Sequence, residues 1–251
     1  MAKWSSSKWS KYRVLKRSSE VKPHLPATYR MNTSALWRML DRYGEAIVKP
    51  SGSYGGQGVL LISHAGDGRY VVHDGPSKKK VEGREKLESL VRRKASRGYI
   101  VQRRISLASI HGRPFDLRVM VQRRKGGSWN VTGKLAKVAG KGYIVTNVRR
   151  SRGKVVPVKT AIRQSDMKGS SAEESLRSID KVSLATAHQM RKYYPGNRTL
   201  GIDMGLDKNG KVWIIEVNFM PMLGLFRMLK DKSMYRKITS YANPAAAAKR
   251  K

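Results

Sequence analysis

Cysteine is absent from the 251 residues, which excludes disulfides, thiolate metal sites and cysteine nucleophiles and places the chain in a cytoplasmic setting. Long apolar runs are missing as well. Nothing approaches the roughly 18 consecutive apolar residues of a membrane-spanning helix, and the start carries no apolar signal segment. No internal repeat is present. Acids are scarce: 17 Asp and Glu stand against 53 Lys and Arg, a formal net charge of +36. Such a charge attracts polyanions, whether nucleic acid, acidic peptides or nucleotide phosphates, although much of it on any folded protein is solvated surface. What is plentiful is apolar. A hydrophobic content of 39% rich in Val, Ile and Leu fits a folded chain, long enough for one large domain or two small lobes.

Because acids are few, where they gather is informative, and three of them fall in 201–218. Residues 202–206 alternate as a strand, Asp207, Lys208, Asn209 and Gly210 are turn chemistry, and 211–217 read as a returning strand rich in β-branched and aromatic residues. With a period of two, Glu216 and Asn218 project from one face, and a short hairpin brings Asp203 alongside them. Two carboxylates and an amide oxygen converging there make a site for a hard cation such as Mg²⁺, which keeps waters and phosphates in its shell. The alternative is a plain hairpin with surface acids. The apolar run before Glu216 draws that carboxylate inward and favours the site.

A second motif lies far upstream. A buried strand at 46–50 runs into Ser51, Gly52, Ser53, Tyr54, Gly55, Gly56, Gln57 and Gly58, and a strand resumes at 59–62. Glycines at four of seven positions let backbone N–H groups approach phosphate oxygens closely, with Lys49 at the strand end below them. The loop is neither a Walker A sequence nor a dinucleotide fingerprint. Alone it would be a structural turn; with Lys49 before it and Asp203, Glu216 and Asn218 after it, phosphate binding is the better reading.

Taken in order, residues 1–30 form a basic arm with the Trp4/Trp9 pair, of the kind that contacts nucleic acid or folds its aromatics onto the body. Asn32 to Ser34 cap a helix over about 34–43 that Gly44 ends. Short edge strands are expected at 70–73 and 79–82, a helix at 84–96 and a strand at 98–102. Residues 114–122 alternate, with Phe115, Leu117, Val119 and Val121 on one face and Asp116, Arg118, Met120 and Gln122 on the other. The polar face is either a salt-bridged surface ladder or the lining of a cleft. Residues 129–138 are its hairpin partner, and 140–152 a glycine- and arginine-rich loop that holds Asn147. Ser170 or Ser171 caps a long helix to about 194. A loop follows at 219–226, and a basic helix at about 231–242 precedes a frayed tail. The division is therefore a 1–30 arm, a 31–230 domain whose lobes meet near 105, and a 231–251 helix and tail.

In combination and order these motifs resemble the ATP-grasp superfamily, and in particular its YheC/YheD branch of spore-coat-associated proteins, over roughly 30–230. The elements are Val48, Lys49 and Pro50 with loop 51–58, the strand at 99–102, the run 112–122, the hairpin at 131–140 and the Asp203, Glu216, Asn218 spacing. That spacing is similar to D-alanine–D-alanine ligases; Asp116, Arg118 and Asn147 are similar to ribosomal-protein glutamate ligases. The resemblance implies an α+β fold in which two lobes clasp a nucleotide, here without a full N-terminal domain ahead of the core. It implies ATP contacts from Lys49, Ser51, Gly52, Ser53, Gly55, Gly56, Gly58, Gln102, Arg103, Ile105 and Asp116. It further implies two Mg²⁺ ions on Asp203, Glu216 and Asn218, with Arg118, Lys137 and Asn147 facing the transferred phosphoryl group. Gln102 stands where an acid is common in the family, and Lys137 where the glutamate ligases carry Arg.

The activity so implied is ADP-forming carboxylate–amine ligation through an acyl phosphate, on an acidic peptide or protein drawn in by the basic surface. The rival is an ATP-binding structural or polyanion-binding spore protein with little turnover. The intact triad favours the ligase; the charge and short N-terminus favour the binder.

Overall fold

A computed structural model describes residues 4–52, 57–75, 77–141, 143, 146, 148–169 and 171–242. The chain opens with helix α1 (Lys8–Lys16), capped by the Ser7 side chain, and continues through a short 3₁₀ turn at Lys22–His24 into strand β1 (Thr28–Arg30). Helix α2 (Thr33–Tyr43) begins where the Asn32 side chain accepts from the Ala35 N–H at 2.7 Å, and ends at Gly44 in the left-handed region, φ 69°. Strands β2 (Glu45–Pro50), β3 (Leu60–His64), β4 (Arg69–Asp74) and β5 (Ser77–Glu82) follow, then helix α3 (Arg84–Ser96) and strand β6 (Tyr99–Arg103). All pair antiparallel in the order β1-β6-β2-β3-β4-β5.

Alternation decides which way this first sheet faces. Val48, Ile62, Val72 and Val101 pack under Leu36, Met39, Leu87 and Val91 of the two helices. Their neighbours in the register, Lys49, Leu61, His73 and Gln102, therefore turn to the opposite face.

The second lobe holds β7 (Ser109–Ile110), β8 (Arg113–Gln122), β9 (Asn130–Val138), α4 (Val148–Ser151), β10 (Lys154–Val156), α5 (Val158–Arg163), α6 (Ala172–Tyr193), β11 (Thr199–Leu206), β12 (Val212–Asn218) and α7 (Ser233–Ala242). Its sheet runs β10-β9-β8-β11-β12, with β7 on β8. Helix α6 begins with a reciprocal cap between Ser171 and Glu174. Its Ile179, Val182 and Met190 cover the face that carries Phe115, Leu117, Val119 and Ile202. Val14 and Leu15 of α1 enter the same core, so the stretch read as a basic arm is a docked helix followed by a strand of the first sheet. No helix among the described residues is long and apolar enough to cross a membrane.

The polar face of β8 is buried too. Met120 lies under Phe226, Leu229 and Ile238, and Gln122 donates to the Ile238 carbonyl at 3.2 Å. That face is therefore no solvent-exposed ladder: Met120 and Gln122 are covered by the C-terminal elements, and Asp116 and Arg118 are buried as well. Strand β10 and helix α5 have no counterpart in the sequence reading.

Candidate active site

Strand β11 lies between β8 and β12, and the register brings the chemistry together. Asp203 is opposite Arg118 on one side and Glu216 on the other, while Gly201 is opposite Asn218. Ile215 is an extra residue in β12, because Met204 pairs with Ile214 directly after Asp203 pairs with Glu216.

Asp203 is the hub. Arg118 donates Nε to Oδ1 and a terminal nitrogen to Oδ2, both at 3.0 Å, the planar fork geometry that suits a carboxylate. Lys137 Nζ donates to Oδ1 at 3.0 Å, and Asn218 Nδ2 to Oδ2 at 3.1 Å, which leaves the Asn218 amide oxygen for another partner. Lys137 also stands 2.9 Å from Asp116, its register partner on β8, and the Thr146 hydroxyl donates to the other Asp116 oxygen. Burial alone would raise the Asp203 pKa, but Arg118 and Lys137 overcome it and hold the carboxyl well below the usual range. For Asp116 burial prevails over the Lys137 charge, and its pKa is raised. Two neighbouring carboxylates thus differ in their readiness to hold a proton.

Across the cleft the first sheet presents Lys49. Its ammonium donates to Gln102 Oε1 at 2.8 Å and reaches the Ile215 carbonyl at 3.5 Å, and Gln102 donates to the Thr28 hydroxyl at 2.9 Å. Helix α1 closes the remaining side. Lys8 Nζ stands 3.3 Å from Glu216 Oε1, and Lys11 Nζ donates to the Val217 carbonyl. Lys49 and Lys11 both have pKa values lowered to about 8, by burial first; Glu216 opposes the shift and Lys8 adds to it. The space enclosed by these three lysines, Gln102 and Glu216 is about 30 Å³, room for about one water. A larger cavity of about 400 Å³ is lined by Leu61, His73, Lys78, Arg104, Arg113 and Tyr143 among others.

The structure therefore brings Asp203, Glu216, Asn218, Arg118, Lys137 and Asp116 together, with Lys49 and Gln102 facing them. Ser51 stands at the mouth, accepting from the Lys8 N–H at 2.8 Å through its carbonyl and from the Trp9 N–H at 3.1 Å through its hydroxyl. Gly52 is exposed, and Gly58 has φ 72°. Arg103 turns away from the cleft, its guanidinium over the rings of Tyr43 and Trp213, and Ile105 is half-buried in the link to the second lobe. Ser53, Gly55, Gly56 and Asn147 lie outside the described residues. Lys8, Lys11 and Thr146 were missed. For the lysines a signal existed: Ser7 as a cap and Lys8, Lys11, Val14 and Leu15 at helical spacing, read as an arm because charge outweighed periodicity.

The YheC/D like ATP-grasp family model matches residues 2–247, nearly the whole chain. The chain belongs to the YheC/D-like ATP-grasp family. Among curated relatives of this ATP-grasp protein, the endospore coat-associated protein YheD of Bacillus subtilis (strain 168) is 24% identical over 227 residues, covering 88% of this chain and 49% of YheD. The endospore coat-associated protein YheC of the same organism is 21% identical over 226 residues, covering 85% and 59%. The chain thus spans about half the length of the curated relatives it matches. Among solved structures, the ADP complex of PurK, N5-carboxyaminoimidazole ribonucleotide synthetase, aligns at a TM-score of 0.49 and 11% identity over 87% of this chain and 46% of PurK.

ATP-grasp proteins use ATP and Mg²⁺, and the donor set can be tested against that cation. Among the described residues no three His, Cys, Asp or Glu side chains converge. The triad offers two carboxylates on paired strands plus the free amide oxygen of Asn218, all hard oxygens. That number suits Mg²⁺, which retains waters and phosphate oxygens, and would be few for Ca²⁺. The residues fit.

Proposed function

We propose that this ATP-grasp chain is a Mg-ATP-dependent carboxylate–amine ligase that acts on an acidic peptide or protein and releases ADP and phosphate. The observation that carries the reading is the Asp203 hub, where one carboxylate of the cation triad shares hydrogen bonds with Asn218 of that triad and with Arg118 and Lys137, the side chains suited to a transferring phosphoryl group. Asp203, Glu216 and Asn218 would hold Mg²⁺, two ions by family resemblance, and the metal would neutralise charge on the triphosphate. Lys49, on the strand that leads into the glycine loop, would bind the triphosphate, and so would Lys8 beside Glu216. Arg118 and Lys137 sit 3.0 Å from Asp203 and would be the side chains that meet the transferring phosphoryl oxygens.

In the ligation, a substrate carboxylate oxygen attacks the terminal phosphorus and ADP departs. An amine nitrogen then attacks the acyl carbon, phosphate leaves, and the amine loses a proton. Exclusion of water from the cleft protects the acyl phosphate between the steps. Asp116, with its raised pKa and its contacts to Lys137 and Thr146, holds Lys137 in position.

The test is ADP release with Mg-ATP across a panel of acidic peptides and free amino acids, with Glu216→Gln as control. Turnover that depends on one peptide and vanishes in the variant supports the ligase; unchanged turnover in Glu216→Gln removes the triad assignment. A second reading, an ATP- and polyanion-binding protein of the spore, draws on the +36 charge and on the printed names of the two relatives. It predicts ATP binding with no ADP release from any member of the panel.

A further inference from the structure

The loop that leaves the site carries an unusual surface. Among the described residues the exposed large hydrophobics are Met220, Met222 and Met228, at 84%, 63% and 55% exposure, and all three fall within the few residues after Asn218. They do not belong to a slack loop. Pro221, between the first two, packs so closely on Gly201 of β11 that a Cβ built there would lie 2.4 Å from the proline ring. Phe219 lies against Tyr194, with ring centroids 4.7 Å apart, and under the Lys11 ammonium. Phe226 and Leu229 are buried with Met120, Leu135 and Ile238, and Lys232 Nζ clasps the Arg227 and Leu229 carbonyls at 2.5 Å. The anchoring residues are held inward, and the methionines between them face outward.

We propose that this methionine-bearing loop is the docking surface for a polypeptide segment with apolar side chains set among carboxylates. Methionine is flexible and polarisable, so exposed on a fixed backbone it adapts to varied apolar side chains. Apolar surface concentrated in one place marks an interaction site. The charge chooses the partner. Arg227, Lys230 and Lys232 flank the methionines and are exposed, and the one acid nearby, Asp231, is taken up by the Ser233 backbone and hydroxyl. The surface adjoins the candidate site, because Pro221, between Met220 and Met222, packs on Gly201, the residue opposite Asn218. That the segment is a substrate rests on the ligase reading; that it docks here does not.

The experiment uses the full chain with ¹³C-methyl methionine, the signals of residues 220, 222 and 228 assigned by single substitutions. Two synthetic twelve-residue probes are titrated: one with leucines set among glutamates, the other an oligoglutamate. The mixed peptide is expected to shift those three signals and to bind at least tenfold more weakly to the M220S/M222S/M228S variant. ATP binding and melting temperature of the variant should stay unchanged. Equal binding of oligoglutamate, or an undiminished affinity in the triple variant, overturns the proposal. So do shifts that grow with protein concentration in the absence of peptide, since the surface would then serve self-association. ADP release is measured in the same samples. Docking without release supports the surface while removing the ligase reading.

Discussion

The two sides of the cleft solve the burial of charge differently. On the second sheet, Asp203 and Asp116 face Arg118 and Lys137, and burial, which by itself would lower the pKa of both cations, is overcome so that both are raised. On the other side Lys49, Lys11 and Lys8 gather near Glu216, and there burial prevails, leaving Lys49 and Lys11 at about 8. The first group is balanced within the protein. The second tips toward positive charge, and an anion entering between the lobes gains more from it than from the balanced group. The asymmetry separates a framework from a receptor.

The largest disturbance should come from the balanced side. Asp203→Asn leaves Arg118 and Lys137 buried with Asp116 as their nearest acid, and a loss of ~3–5 kcal/mol in urea denaturation is expected. A loss under about 1 kcal/mol would show that the hub is less dry than its geometry indicates. Glu216→Gln tests the other side and should cost less, ~1–2 kcal/mol, because Glu216 and Lys8 keep some contact with water. Equal costs for the two variants would erase the distinction. The smallest effect is in pH dependence. Between pH of about 8 and 10.5 the folded chain has released the Lys11 proton while the unfolded chain retains it, so this group makes stability rise with pH through that window. Lys11→Met should make the rise shallower by about 1 kcal/mol per pH unit, measured as the difference from the parent so that the falling net charge cancels. An identical slope would mean that Lys11 keeps its proton in the fold.

Much of this was legible in the sequence, for identifiable reasons. The hairpin that carries Asp203, Glu216 and Asn218 could be read because its alternation is regular and its turn is marked. Asp207 Oδ1 accepts from the Asn209 and Lys211 N–H groups at 3.0 and 3.1 Å. The bulge at Ile215 has no such mark, yet the triad keeps its common face because the extra residue falls before Glu216. Helix α2 was legible from Asn32 and Gly44. Helix α1 was not, since its buried face carries Lys11 beside Val14 and Leu15, and a lysine is counted as solvent-facing until its partner carbonyl is known. The burial of Met120 and Gln122 depended on α7 and the preceding 3₁₀ turn, contacts more than a hundred residues distant for Gln122. The outward methionines run against the expectation that apolar residues point inward, and the exception is visible only once the anchoring of Phe219, Pro221, Phe226 and Leu229 is known.

One small junction has a mechanical side. Ser51 donates its N–H to the Gly98 carbonyl at 3.0 Å while receiving the first turn of α1 at both its carbonyl and its hydroxyl. It acts as a pin through three parts: the root of the glycine loop, the lead-in to β6, and the tip of the opening helix. A displacement of Ser51 must pull on Lys8 and Trp9, and a pull on the first turn of α1 must in turn reach Ser51. A tag or fusion placed immediately ahead of α1 therefore loads the end of β2, two residues from Lys49.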